Sequence, residues 1–142
     1  MATAPTTKSP AQLFALVFGV VYLLVGIVGF FFADEFTRGS ADDELIVFRI
    51  NHLHNIVHVG LGVVWLGASR TLAAAKAVNV LLGAVLIVVA ILGLTAIDLV
   101  HILLNIVDSS DPDNFLHIVT GALALYFGTA GAQSAGAAPS RI

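Results

Sequence analysis

The sequence predicts an all-α integral membrane protein, a four-helix bundle assembled from two tandem two-helix hairpin repeats. Three observations carry this expectation. Of 142 residues, 58% are hydrophobic and only 11% charged, too few charges to cover a soluble domain of this length. The apolar residues fall in four long blocks of the kind that belong in lipid. A polar motif then recurs in the second and fourth blocks.

Residues 1 to 10 carry Pro, Thr and Ser with one charge, Lys8, and read as a flexible lead. The first span is expected at about 11–32, where no charge interrupts about 33 Å of helix. A cleaved signal peptide is the competing reading. The stretch is long for one, and the exit Phe30-Phe31-Phe32-Ala33-Asp34 lacks the small-residue cleavage pattern.

The second span is expected at about 50–69. Ser40-Ala41-Asp42-Asp43 offers capping chemistry, so its helix is expected to start near Asp42, outside the hydrocarbon. The third span is expected at about 77–97, after the charges of Arg70 and Lys76. Beyond it Asp98, His101, Asn105 and Asp108 recur at helical spacing, an amphipathic extension lying at the membrane surface or over the bundle mouth. The fourth span, about 112–131, opens with Asp111 as cap and Pro112 in the first turn. Residues 11–131 thus form one membrane domain, and 132–142, rich in Gly, Ala and Ser, read as a disordered tail.

Four spans put both termini on one side, with Lys8, Arg70, Lys76 and Arg141, while Arg38, Arg49 and all the acidic residues fall on the other. The positive-inside rule then makes the termini cytoplasmic and the His- and acid-rich loops outward, in the cell inner (plasma) membrane.

Asn55-Ile56-Val57-His58-Val59-Gly60-Leu61-Gly62 matches Asn114-Phe115-Leu116-His117-Ile118-Val119-Thr120-Gly121 as N-x-x-H-x-x-x-G. Gly19 and Gly29 of the first helix are spaced like Gly83 and Gly93 of the third. Each unit crosses twice, so the copies form a parallel repeat about an axis along the membrane normal. His58 and His117 then differ in height by only about 4.5 Å and are placed to meet. Small residues at Gly19, Gly26, Gly62, Gly83, Gly93, Gly121 and Gly128 are expected to bring helix backbones together.

In the second helix Asn51, His54, Asn55, His58, Gly62 and Trp65 lie within roughly 50° of one line at 100° per residue, and that line should face the interior. Three functional readings follow for the polar face. His54 and His58, at i and i+4, could share a divalent metal with His117, and the nearby carboxylates of Asp98, Asp108, Asp111 and Asp113 could complete a site for zinc, copper or iron. His58 and His117 could instead be axial ligands of a haem. Titrating histidines could also pass protons or small solutes through an oligomer. Against all three stands a purely structural role, in which Asn55, His58, Asn114 and His117 hydrogen-bond across the helix interface. His52 and His101 read as interfacial.

Absence of cysteine excludes disulfides, thiolate metal sites and thiol nucleophiles. No basic block follows a phosphate backbone, so nucleic acid is not an expected partner. No hydrolase, zincin, Walker or dinucleotide motif is present, and no enzyme is expected. The expected partners are the lipid bilayer, a second copy of the chain or another membrane protein. The leading functional expectation is a non-enzymatic accessory or envelope-stress component with no cofactor, with the metal or haem site as the alternative.

At Asn55 to Gly62 and Asn114 to Gly121, set within four spans, the chain resembles a family of small bacterial membrane proteins catalogued as domain of unknown function 4383, over roughly residues 11 to 131. That resemblance implies a four-helix membrane fold and no particular activity. DoxX-like four-helix membrane proteins are a second resemblance, and no motif decides between the two.

Overall fold

The computed structural model describes residues 7–40 and 42–132, and the flexible lead and disordered tail expected at the ends lie largely outside them. The described chain is mostly helical: α1 (Pro10–Gly29), α2 (His52–Ala68), α3 (Leu72–Leu94), the short α4 (Asp98–Leu104) and α5 (Pro112–Gly128). A two-residue antiparallel pair, β1 (Glu44–Leu45) and β2 (Phe48–Arg49), stands between α1 and α2.

Local chemistry sets these boundaries. Ser9 and Gln12 form a reciprocal capping box, with Pro10 in the first turn. Thr71 caps α3 through Ala74 N–H at 3.2 Å, so that helix begins before Ala77 and takes Lys76 into its first turns. It stops at Leu94 because Ala96 turns left-handed, and Asn105 ends α4 in the same way. Asp111 caps α5 at Asp113 N–H, with Pro112 next to it as expected.

The expected helix start near Asp42 is corrected: α2 opens at His52, capped by Asn51, whose side chain accepts from His54 N–H at 2.7 Å. Asp43 is diverted from capping a helix because its carboxylate takes the N–H groups of Asp34 (2.9 Å) and Ser40 (2.6 Å). Burial pushes that carboxyl's pKa up, but these bonds outweigh it and hold it below the ordinary 3.8. Segment 34–51 is therefore a folded cap. Glu44 faces Arg49 across the β pair, their side chains 3.8 Å apart. Asn105 Nδ2 donates to Ile50 C=O (3.1 Å), Asn51 Nδ2 to Arg38 C=O (3.3 Å), and Arg38 N–H to Ile102 C=O (2.8 Å).

α1 and α3, at 20 and 23 residues, are long and apolar enough to cross a membrane. α2 and α5 have 17 residues each, about 26 Å of helix. α1 packs chiefly on α2, and α3 chiefly on α5. Both contacts are made at glycine. A Cβ on Gly62 would fall 2.6 Å from Leu23 N, and one on either Gly83 or Gly121 would stand 2.9 Å from the other's carbonyl oxygen. Gly19 faces Gly62 and Leu66, Gly26 faces Val59, and Gly128 faces Val80 at similarly close range. Such close approach gives each helix pair extensive van der Waals contact.

Between the pairs lies an aromatic core: Phe14 stacks on Phe18 (centroids 4.3 Å apart) and Phe127 (5.2 Å), and Tyr22 sits edge-on to Trp65 (5.0 Å). Trp65 Nε1 donates to Asn79 Oδ1 at 3.0 Å and Asn79 Nδ2 to Ala11 C=O at 3.1 Å. One buried carboxamide thereby joins α1, α2 and α3.

Candidate metal centre

The periodic face read from the second helix is the buried face of α2. His54, Asn55, His58, Gly62 and Trp65 all lie inside, with Asn51 beneath the cap. α5 presents Asp113, Asn114, His117, Thr120 and Gly121 to the same interior. The two faces meet at the histidines. His54 and His58 are edge-to-face at 4.4 Å, and His54 lies 6.1 Å from His117 between ring centroids.

One ring nitrogen from each of His54, His58 and His117 lies within 4.8 Å of the other two, and all three residues are buried. Zinc–imidazole bonds of 2.0–2.1 Å place tetrahedral ligand atoms roughly 3.4 Å apart, so imidazole rotations of about 1 Å would close the set on an ion. The rings surround a cavity of about 50 Å³ whose other walls are Val57, Leu61, Val85, Leu86, Val89 and Leu104. That volume accepts an ion with a water and is far below the roughly 300 Å³ of the smallest organic-ligand pockets. A haem between His58 and His117 does not fit it.

Both nitrogens of His58 and Nδ1 of His117 are buried without a hydrogen-bond partner, and those of His54 make no well-formed bond, only approaches to the backbone of Arg49 and Leu104. Among the described residues no hydrogen bond links Asn55, His58, Asn114 and His117. Asn114 Nδ2 donates instead to Asp108 C=O at 3.0 Å, and its Oδ1 presses on Gly93 as Asn55 Oδ1 presses on Gly29. The carboxamides thus seat helices, and the imidazoles are left free. Of the remaining histidines, His52 stacks on Phe30, while His101 Nδ1 stands 4.0 Å from Asp98, which also pairs with Arg38.

Three further residues bear on the site: Tyr22, which the sequence did not single out, Asn105, expected only as part of a surface helix, and Asp113, expected only as one of the carboxylates near the histidines. Tyr22 lies edge-on to His58 at 4.9 Å and closes the site from below with Trp65. Asn105 holds the cap above it. Asp113 is buried at 1% exposure with Oδ2 unpartnered, and its place in an Asp-x-x-x-His against His-x-x-x-His was the signal available for it. The larger groove lined by Leu13, Phe14, Val17, Phe18 and Phe127, of about 350 Å³, has only Lys8 as a charged neighbour and no chemistry of this kind.

Residues 12–130 match the family described as Domain of unknown function (DUF4383). The chain belongs to this family. DUF4383 membership covers every residue of the histidine cluster, and its description assigns no chemistry to them. No curated protein and no solved structure matches the chain.

Proposed function

We propose that this chain is a four-pass membrane protein whose function is to hold a first-row transition metal or zinc on His54, His58 and His117. The observation that carries the reading is that three buried imidazoles converge with their nitrogens unpartnered. An unsatisfied buried polar group costs about 1–3 kcal/mol, and a bound ion would take one nitrogen from each of the three rings at once. Imidazole ligands suit Zn, Cu, Fe and Ni.

The four-pass bundle and its repeat are part of the proposal. All four long helices turn large apolar side chains outward, including Val63 and Val64 of α2 and Phe115 and Val119 of α5, as lipid-facing helices do. Their buried faces correspond in order. Ala11, Gly19, Gly26 and Gly29 of α1 run parallel to Ala75, Gly83, Ala90 and Gly93 of α3, and Asn55, His58 and Gly62 of α2 to Asn114, His117 and Gly121 of α5. We place the termini in the cytoplasm and the histidine site in the outward half of the inner membrane. Binding is favoured over catalysis by the small cavity, and over passage by the packing of Phe14, Tyr22 and Trp65 beneath the site. An accessory role in the envelope is compatible with such a site.

Elemental analysis of the full chain, purified in detergent and dialysed against Zn(II), Cu(II) or Co(II), tests this. The expected result is about one ion per chain, lost in His58→Ala and His117→Ala. Wild-type protein that retains none of the three ions sinks the reading.

A further inference from the structure

The three imidazoles are neutral as ligands, so a divalent ion among them would bring two positive charges into a cavity otherwise walled by aliphatic side chains. An uncompensated charge in such surroundings is costly, and buried charges are paired or neutralised. The region holds one carboxylate of the right kind. Asp113 is 1% exposed, stands one helical turn from His117 on the same buried face of α5, and has Oδ2 without a hydrogen-bond partner. It also occupies the place in α5 that His54 occupies in α2: His54 and His58 are one turn apart, as are Asp113 and His117. The facing helices therefore offer His-x-x-x-His against Asp-x-x-x-His, two ligands each.

We propose that Asp113 is the fourth, anionic ligand of the ion bound by His54, His58 and His117. This rests on the metal-binding reading and specifies its ligand set: a tetrahedral site of three nitrogens and one oxygen that selects a divalent ion. Asp113 lies outside the group whose ligand atoms are within 4.8 Å of one another, so its carboxylate must rotate inward when the ion arrives. Oδ2 is free to do so because no hydrogen bond holds it.

The carboxylate contributes charge as well as an atom, so the test compares ions of different charge. Co(II), whose visible bands report coordination, and Ag(I), a monovalent ion, are titrated into detergent-purified full-length wild type, Asp113→Asn and Asp113→Glu. Asp113→Asn is expected to weaken Co(II) binding by about 10- to 100-fold and to shift its visible bands, while Ag(I) affinity changes far less. Asp113→Glu keeps the stoichiometry with shifted bands, and serves if the Asn variant fails to fold. Co(II) affinity and spectrum unchanged in Asp113→Asn, or bands unchanged in Asp113→Glu, overturn the assignment while leaving the histidine site standing. Wild type that binds neither ion overturns both.

Discussion

The imidazole of His54 lies edge-on to that of His58, 4.4 Å between centroids and one helical turn apart, with all four of their nitrogens buried and none in a well-formed hydrogen bond. Two adjacent unsatisfied rings are a standing cost to the ion-free protein. They become an asset only when something binds between them.

That cost gives the first prediction. Replacing His58 by Leu removes two unpartnered polar atoms from a site with apolar walls, so the ion-free variant should unfold within about 1 kcal/mol of wild type, or be the more stable of the two. Added Zn(II) at about 100 times its Kd should stabilise wild type by about 2.7 kcal/mol and leave His58→Leu unmoved. Thermal unfolding in detergent, with and without Zn(II), reads both effects. A strongly destabilised ion-free variant would mean that His58 holds the fold together.

Gly60 and Gly62 sit two residues apart on α2 with opposite surroundings. A Cβ on Gly60 meets nothing within 4 Å, whereas one on Gly62 would strike the Leu23 backbone. Gly60→Ala should be neutral or stabilise by up to about 1 kcal/mol through helix propensity. Gly62→Ala should cost about 1–3 kcal/mol by forcing α1 away from α2. Equal unfolding midpoints for the two variants would contradict the close α1–α2 approach.

The same residues show what could be read in advance. The recurring N-x-x-H-x-x-x-G and the spacing of Gly19, Gly29, Gly83 and Gly93 located the seats of the helices, because close packing in lipid leaves a mark at helical period. The polar partners were less legible. Asn55 and Asn114 were expected to bond across an interface, yet they press on Gly29 and Gly93, and the tie between helices comes from Asn79, a lone carboxamide in an apolar block. Capping chemistry at Asp42 and Asp43 misled for a similar reason. Short side chains that can cap a helix can equally close a loop, and only the fold brings Asp34 N–H to Asp43.

Acid should loosen the outer cap before it touches the helices. The Asp43 carboxyl has its folded-state pKa held below 3.8, so its contribution is fully present above that value and is lost as pH falls through the lower folded pKa. Asp111 has the opposite sign. Buried at 4% exposure, it is raised above 3.8 chiefly by desolvation, so its protonation at mildly acid pH relieves a cost. Hydrogen-exchange protection across residues 34–40 and 42–51, corrected for the intrinsic rate at each pH, should therefore fall in wild type as pH drops from about 5 to below 3.8. In Asp43→Asn, the segment should already exchange fast at pH 5. A segment equally protected at both pH values in wild type would deny Asp43 this role.

The absence of cysteine makes the orientation directly measurable, since any introduced thiol is unique. Ser110, in the turn before Asp111, is exposed and lies on the proposed outward side; Thr71, between α2 and α3, is also exposed and lies on the proposed inward side. Ser110→Cys disturbs only a bond to Asp108 within the turn. Thr71→Cys loses an N-cap oxygen, a change of about 1 kcal/mol that a packed bundle should tolerate. A membrane-impermeant maleimide applied to intact spheroplasts should label Ser110→Cys and spare Thr71→Cys until the membrane is opened. The reverse pattern would put the histidine site on the cytoplasmic side, where the ion it holds would come from the cell interior. Labelling of both in intact spheroplasts would contradict four crossings, because α3 would then fail to separate the two residues by a membrane.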